Sequence, residues 1–245
     1  MIIFEGAQKK VDPGGLGHVE KIIFYSLTSS RAIFRYISKG ELLFDLMLRK
    51  NIIGSARAML AGGAAFTSFE NSSFNPAYWS RTSSGYLLRP DVLPSDAVRD
   101  VFVNGKLYGF ECSTAMVLIF YKAVLESIRE SDFNYLFGGL LVWNWQHDPD
   151  LAIITLLGTE FIPGDVVYFN NPEHRKPIWR GENAVVMENK LYYGHGVGIV
   201  TGEEMIAGLN SLRRKDAVIS AYLLPQHSRL NIRYLYRFSK YAALA

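Results

Sequence analysis

The hydrophobic pattern of the chain predicts a helical first half, and its clearest helix begins just before residue 115. Every residue from 115 to 121 is apolar, and the charged residues that follow (Lys122, Glu126, Arg129 and Glu130) recur at spacings of three and four. Such spacing is typical of one face of an α-helix. The pattern therefore predicts a helix that is buried at its start and amphipathic at its end.

Two further helices are indicated upstream of it. Ser38 is a capping residue for a helix that ends near Gly62, since glycine is common just beyond a helix C-terminus. Pro94 begins a shorter helix that stops at Asn104. Residues 64–94 are rich in serine, asparagine, proline and aromatic residues, which predicts ordered loops at the surface.

The second half of the chain has the pattern of a β-sheet. A hairpin is expected to turn at Glu188 and Asn189. Thr201 and Glu204 have the spacing of a capping box, which predicts a last helix as far as about Arg214. Helices followed by antiparallel strands predict an α+β fold, in a single domain of residues 1–245. The β-rich runs, separated by turn residues, cover residues 140–145, 151–157, 165–169, 183–187, 190–193 and 194–200.

The composition is that of an ordinary globular protein, with 49% hydrophobic and 20% charged residues. The net charge of +3 is too small to predict binding to nucleic acid or to an anionic membrane. No run of about 18 apolar residues predicts a membrane span, and the N-terminus has no basic region followed by an apolar core, so we expect no secretory signal. One cysteine rules out an internal disulfide and fits a reducing compartment.

That single cysteine, Cys112, lies where a polar, glycine-containing segment meets the apolar helix. Ser113 and Thr114 are capping-type residues, so the thiol is expected at the helix N-terminus. Unpaired amides and the helix dipole favour an anion there, which predicts a thiol pKa below the usual value of about 8.5. The alternative is that Cys112 is a small buried hydrophobic residue.

A thiol nucleophile needs a base and a group that orients the base. His195 is the first candidate, because it lies between Gly194 and Gly196 in a predicted strand, where glycine often marks a close approach. Glu182 precedes the adjacent strand and is expected to face the same side. Glu111 is a second candidate acid, although a helix-dipole role explains it equally well.

The remaining candidate sites are weaker. Four histidines are expected at the surface: His18, His147, His174 and His227. No His or Cys pair has the spacing of metal ligands, so no metal and no cofactor are expected. The spacing of Arg229, Arg233 and Arg237 allows a basic helical stripe for an acidic partner or, more simply, a solvated face.

Three motifs are more specific than the patterns above. They are Tyr-Gly-Phe-Glu-Cys-Ser-Thr-Ala (residues 108–115), Trp-Arg-Gly-Glu-Asn (179–183) and Tyr-Gly-His-Gly-Val-Gly-Ile (193–199). In order and spacing they resemble the bacterial spore-coat protein-glutamine γ-glutamyltransferases, which are transglutaminases. The similarity extends from about Glu41 to about Arg237, whereas the N-terminal segment of residues 1–35 is divergent.

The resemblance implies a papain-like or NlpC/P60-like core and a catalytic set. Cys112 corresponds to the nucleophile, Glu182 and His195 to its polar partners, and Glu111 to an alternate acid. The resemblance also implies that an aromatic substrate passage is lined by Trp179, Trp145, Tyr168 and Phe66.

The activity implied is calcium-independent crosslinking of protein glutamine to lysine through a cysteine thioester, with release of ammonia. The implied partners are spore-coat proteins that supply both residues, with synthesis in the mother-cell cytoplasm and action at the spore surface. Two alternatives remain at this point. One is a cysteine peptidase or amidase of related fold, and the other is a non-enzymatic structural protein of the spore coat.

Overall fold

The structure, a computed structural model, describes residues 1–5 and 11–240. The predicted domain of residues 1–245 therefore includes two short segments, 6–10 and 241–245, that lie outside the described residues. The helices are α1 (His18–Ser29), α2 (Lys39–Gly62), α3 (Pro94–Val103), α4 (Cys112–Ser127), α5 (Glu130–Leu136), α6 (Gly202–Ser211) and α7 (Ile232–Tyr236).

The strands are mostly short, and the long sheet comes from the second half of the chain. They are β1 (Ile2–Phe4), β2 (Phe34–Tyr36), β3 (Ala65–Phe66), β4 (Trp79–Thr82), β5 (Gly85–Leu88), β6 (Gly109–Phe110), β7 (Leu141–Val142), β8 (Ile153–Leu157), β9 (Val166–Asn170), β10 (Gly181–Val186), β11 (Leu191–Gly194), β12 (Gly198–Thr201) and β13 (Tyr222–Leu230).

A six-stranded antiparallel sheet forms one layer, in the order β12-β11-β10-β9-β13-β8. The almost entirely buried helix α4 packs between this sheet, at β10, and the long helix α2. A short parallel pair, β3 with β6, places Phe66 beside Phe110, two residues before Cys112. The α+β class is confirmed, and its layers bring the start of α4 to the middle of the sheet.

The helices with clear capping signals are confirmed. The Ser38 hydroxyl accepts a hydrogen bond from the Glu41 amide at 3.1 Å, and Gly63, at φ +74°, ends α2. At α6 both bonds of the capping box between Thr201 and Glu204 are present. This helix ends at Ser211, a few residues before the predicted end.

One prediction for the first half of the chain is wrong. Residues 64–94 are not only surface loops, because they contain the hairpin β4–β5 and contribute buried rings to the core. Phe74 stacks on Tyr86 with ring centroids 4.1 Å apart. His18 is the first residue of α1 and is exposed, as expected of a surface histidine. The aromatic residues of segment 64–94 pack in the core. Their spacing along the sequence has no regular period from which this packing could be predicted.

The predicted strand over residues 194–200 is interrupted by a turn. Strand β11 ends at Gly194, and β12 begins only at Gly198. Gly196 in this turn has φ +89°, and a Cβ there would lie 2.7 Å from Phe66 Cβ. His195 is therefore a turn residue that the close approach of another segment holds in place.

The C-terminal arginines do not form one helical face. Arg229 lies in β13 and is mostly buried, whereas Arg233 belongs to α7. Arg229 Nη2 is 2.6 Å from Asp165 Oδ2, and Arg49 Nη1 is 2.8 Å from Asp165 Oδ1, so the two cations share one carboxylate. His227, also in β13, is buried rather than exposed. Side chains of a strand alternate between faces, which a helical spacing rule cannot represent.

Candidate active site

Cys112 is the first residue of α4, and the helix begins there because Glu111 caps it. The Glu111 carboxylate accepts hydrogen bonds from the Ser113 amide at 2.5 Å and from the Thr114 amide at 2.8 Å, and the Thr114 hydroxyl donates a third. The prediction that the thiol lies at the helix N-terminus is confirmed. However, the amides expected to attract a thiolate are already bound to a carboxylate.

The Cys112 side chain is 8% exposed, and burial raises the pKa of its thiol. The negative charges of Glu182 and Glu111 raise this pKa further. The expectation of a lowered thiol pKa was therefore wrong. The helix terminus does not decide the protonation state, because desolvation and two neighbouring carboxyl groups outweigh it, and the resting thiol is neutral.

Glu182, in β10, is the carboxyl group whose charge has the larger effect on the pKa of that thiol. It is 4% exposed, and its Oε1 atom is buried without a hydrogen-bond partner among the described residues. Burial raises the pKa of Glu182 well above its ordinary value of 4.5, and the charge of Glu111 acts in the same direction. Hydrogen bonds with the His195 backbone amide and with Cys112 oppose this shift. Cys112 and Glu182 are therefore two buried groups whose pKa values depend on each other.

Gly194 provides the space that this carboxyl group occupies. A Cβ at Gly194 would lie 3.0 Å from both Cγ and Oε1 of Glu182 and 2.9 Å from the end of Met205. The interpretation of the glycine as a mark of close approach is therefore correct at this position, and the approaching group is Glu182 itself.

Asn183 is a polar residue of the site that the sequence reasoning did not single out. It is 5% exposed and lies in β10 opposite Tyr168 of β9. Its Nδ2 atom lies 3.4 Å from Cys112 Sγ and donates to Ser113 Oγ at 3.1 Å. The only sequence signal for it was its place directly after Glu182, in a strand expected to carry the site.

The His195 ring is 3% exposed and stacks on Phe110, with centroids 4.9 Å apart. Its Nε2 lies 3.2 Å from the carbonyl oxygen of Ala65, and its Nδ1 lies 3.4 Å from the Tyr193 hydroxyl. The bond to a carbonyl requires a proton on Nε2. Burial lowers the pKa of His195 to about 4, so the ring is neutral near pH 7. Both ring nitrogens thus have partners other than Cys112.

A cavity of about 940 Å³ opens above Cys112, and Glu111, Ser113 and Asn183 belong to its wall. Of the aromatic residues predicted to line a passage, Phe66, Trp145 and Tyr168 do line it. Trp179 lies outside the lining, and its ring faces the side-chain cations of Arg175 and Lys176, each 5.0 Å from the ring centroid. The sequence reasoning missed two aromatic lining residues, Phe69 and Trp143.

Among residues 1–5 and 11–240, no cluster of three or more His, Cys, Asp or Glu side chains is arranged to hold a metal ion. No helix in that part of the chain is long and apolar enough to cross a membrane.

This geometry agrees with what comparison of the chain with known proteins shows. The family model for protein-glutamine gamma-glutamyltransferase matches residues 1–239. The chain belongs to this family. The match includes residues 1–35, which the three sequence motifs had left unassigned.

Relatives named protein-glutamine gamma-glutamyltransferase are similar in sequence to most of the chain. The protein of that name from Halalkalibacterium halodurans is 46% identical over 218 residues, which cover 88% of this chain and 77% of the relative. A Bacillus cereus protein of the same name is 46% identical over 210 residues, covering 84% of this chain and 76% of the relative. The predicted family and the predicted enzyme class, an acyltransferase, are therefore confirmed.

A solved structure supports the same conclusion. The transglutaminase from Geobacillus stearothermophilus, without its C-terminal extension, is 46% identical to this chain and superposes with a TM-score of 0.80. The superposition covers 83% of this chain and 99% of the other. The α+β architecture of the chain is thus shared with a solved transglutaminase.

Proposed function

We propose that the chain joins the γ-carboxamide of a protein glutamine to a lysine ε-amine, with Cys112 as nucleophile and Glu182 as its proton acceptor. The observation that supports this most is that Cys112 lines an aromatic cavity and that the charge of the buried Glu182 carboxyl group raises the pKa of its thiol. A carboxyl group with a raised pKa is suited to accept and return a proton near neutral pH.

The first half of the reaction forms a thioester. The Cys112 proton passes to the Glu182 carboxylate, and the sulfur attacks the glutamine amide carbon to give a tetrahedral oxyanion. When this intermediate collapses, the C–N bond breaks, Glu182 returns its proton to the departing nitrogen, and ammonia leaves. Glu182 is then ionised again beside a neutral thioester.

The second half transfers the acyl group to lysine. The ionised Glu182 takes a proton from the amine as its nitrogen attacks the thioester carbon. The C–S bond then breaks, and the sulfur recovers that proton as the isopeptide leaves. Water competes for the same thioester, and the cavity rings of Phe66, Trp145 and Tyr168 favour a lysine stem over bulk water.

The histidine has a supporting role in this proposal. A His195 ring that is neutral near pH 7, with Nε2 bound to the Ala65 carbonyl, is unsuited to pair with a thiolate. A hydrogen bond from its backbone amide instead lowers the pKa of the Glu182 carboxyl group. Glu111 remains a possible second acceptor only if its bonds to the helix amides are given up, so we assign it to capping.

The natural substrates that we propose are spore-coat proteins, crosslinked without calcium by an enzyme made in the mother-cell cytoplasm and acting at the spore surface. The resemblance of the three motifs supports this, together with the Bacillus relatives. The test is the appearance of ε-(γ-glutamyl)lysine in isolated coat protein after incubation with the enzyme, measured by mass spectrometry.

The activity itself is tested with a glutamine donor protein and a fluorescent primary amine in the presence of EDTA. The wild type is expected to incorporate the amine and release ammonia, and Cys112→Ala to do neither. If the wild type releases ammonia or cleaves peptide without forming an amine adduct, the chain is a hydrolase. If wild type and Cys112→Ala are equally inert, the structural-protein alternative is favoured instead.

A further inference from the structure

We infer that Asn183 is a catalytic residue whose side-chain and backbone N–H groups stabilise the negative sulfur of Cys112. The inference rests on the proposed role of Cys112 as nucleophile. It assigns a function to Asn183, a polar residue of the site that takes no part in the glutamyl transfer steps described above.

The contacts of Asn183 provide the first argument. A single amide nitrogen carries two hydrogens, and Asn183 Nδ2 lies within hydrogen-bonding distance of two acceptors. These are Cys112 Sγ at 3.4 Å and Ser113 Oγ at 3.1 Å. The bond to Ser113 fixes which way the amide faces, so that the second hydrogen points to the sulfur. Because Ser113 directly follows Cys112, the bond to Ser113 also keeps the Asn183 amide close to the sulfur.

The backbone of Asn183 supplies a second donor. The pairing of β10 with β11 covers Ala184 to Val186, so Asn183 lies one residue before it. A hydrogen bond from the Asn183 backbone and another from its side chain lower the pKa of Cys112 against the burial that raises it. The strand therefore delivers two N–H groups to one atom.

The need for these donors follows from the way the helix is capped. A cysteine at a helix N-terminus usually has a lowered thiol pKa, because the free amides and the helix dipole stabilise the thiolate. Here the Ser113 and Thr114 amides are occupied by the Glu111 carboxylate, whose charge repels a thiolate instead. When the thiol proton passes to Glu182, hydrogen bonds from Asn183 stabilise the charge left on the buried sulfur in place of water.

The atoms of this step balance without any further reactant. The S–H bond of Cys112 breaks, and its proton binds to the Glu182 carboxylate. The electron pair stays on sulfur, where the two Asn183 N–H groups point. Nothing is oxidised or reduced, and Asn183 itself neither gains nor loses a proton. Asn183 acts on the free energy of the thiolate, so its loss should change kcat and the pH profile rather than KM.

The single cysteine of the chain makes the thiolate directly measurable. Alkylation by iodoacetamide, followed from acid to alkaline pH, reports the ionisation of Cys112 without any protein substrate. In Asn183→Ala we expect the alkylation profile to move to higher pH by about one to two units, because a hydrogen bond to a charged group is lost. The same loss should lower kcat by about 10- to 100-fold with little change in KM.

Asn170→Ala is the matched control. Asn170 lies at the end of β9, pairs with Gly181, and donates to the Tyr222 hydroxyl at 3.2 Å rather than to the sulfur. Its alkylation profile and kcat are expected to equal those of the wild type. A shift of the same size in this control would show that any asparagine lost from the sheet perturbs the thiol, and would overturn the inference.

Ser113→Ala provides a second, milder variant, which keeps the test valid if Asn183→Ala fails to fold. It removes the oxygen that orients the Asn183 amide but leaves both donors. We expect a smaller shift in the same direction, and no additional shift when it is combined with Asn183→Ala, since both act through one contact.

The inference is wrong if folded Asn183→Ala, or Ser113→Ala in its place, alkylates with the wild-type pH profile and keeps the wild-type kcat. That result leaves the proposed function untouched. Failure of the proposed function has a different signature, namely a wild type that incorporates no amine, or incorporation that survives in Cys112→Ala. The two results are therefore distinguishable in one set of assays.

Discussion

Replacing Glu182 by glutamine should reduce activity while increasing stability. The substitution keeps the shape of the side chain but removes the carboxylate that we propose accepts the Cys112 proton. Positioned general bases contribute about 100- to 10,000-fold to rate, and kcat for amine incorporation is expected to fall by that factor. In the wild type, kcat should decline as the pH falls through the raised pKa of Glu182, because the protonated carboxyl group cannot accept the thiol proton.

The stability change follows from the same pKa. Because burial raises the pKa of Glu182 above 4.5, the folded protein holds a proton that the unfolded chain has already released. The folded state is therefore penalised as the pH rises above 4.5, by about 1.4 kcal/mol for each unit of the shift. Glu182→Gln removes this penalty, so its free energy of unfolding should match the wild type below pH 4.5 and exceed it increasingly above. Each kcal/mol corresponds to about 2–4 °C in Tm for a chain of this size.

Thermal unfolding of the two proteins across a pH series is the assay, and Glu173→Gln is the matched control. Hydrogen bonds from the Ile219 amide and from Arg214 lower the pKa of Glu173, whereas burial raises the pKa of Glu182. That control should be less stable than the wild type at neutral pH and should keep its kcat. The reasoning is refuted if Glu182→Gln keeps more than half of the activity, or if its stability advantage does not grow with pH.

Three further predictions concern the surroundings of this pair. Gly194→Ala should lower kcat about tenfold with KM unchanged, because the new Cβ would lie 3.0 Å from the carboxyl group of Glu182; wild-type kinetics would contradict this. Asp165→Ala should cost about 3–5 kcal/mol in urea unfolding, since it leaves the buried Arg49 without that partner; a cost below about 1 kcal/mol would show that the ion network is not needed. Trp145→Ala should raise KM for the amine several-fold whereas Trp179→Ala should not, and equal effects would argue against the cavity as the substrate route.

Much of the local structure was accessible from the sequence because its causes are local. The Ser38 cap of α2 and the capping box at Thr201 depend on residues three positions apart, so a linear pattern contains them. The placement of Cys112 at a helix start was predicted for the same reason. The strands were predicted less completely than the helices. The turn at Gly196 depends on the approach of Phe66, which is 130 residues distant in the chain.

The chemistry of the site depended on distant neighbours. The sequence by itself determined which residue types are present and that one thiol lies at a helix terminus. Only the tertiary structure decided that burial raises the pKa of that thiol, that the His195 ring pairs with Ala65 and Tyr193, and that the Asn183 amide reaches the sulfur. Desolvation and hydrogen bonding act through space, and strands far apart in the sequence determine which groups share that space.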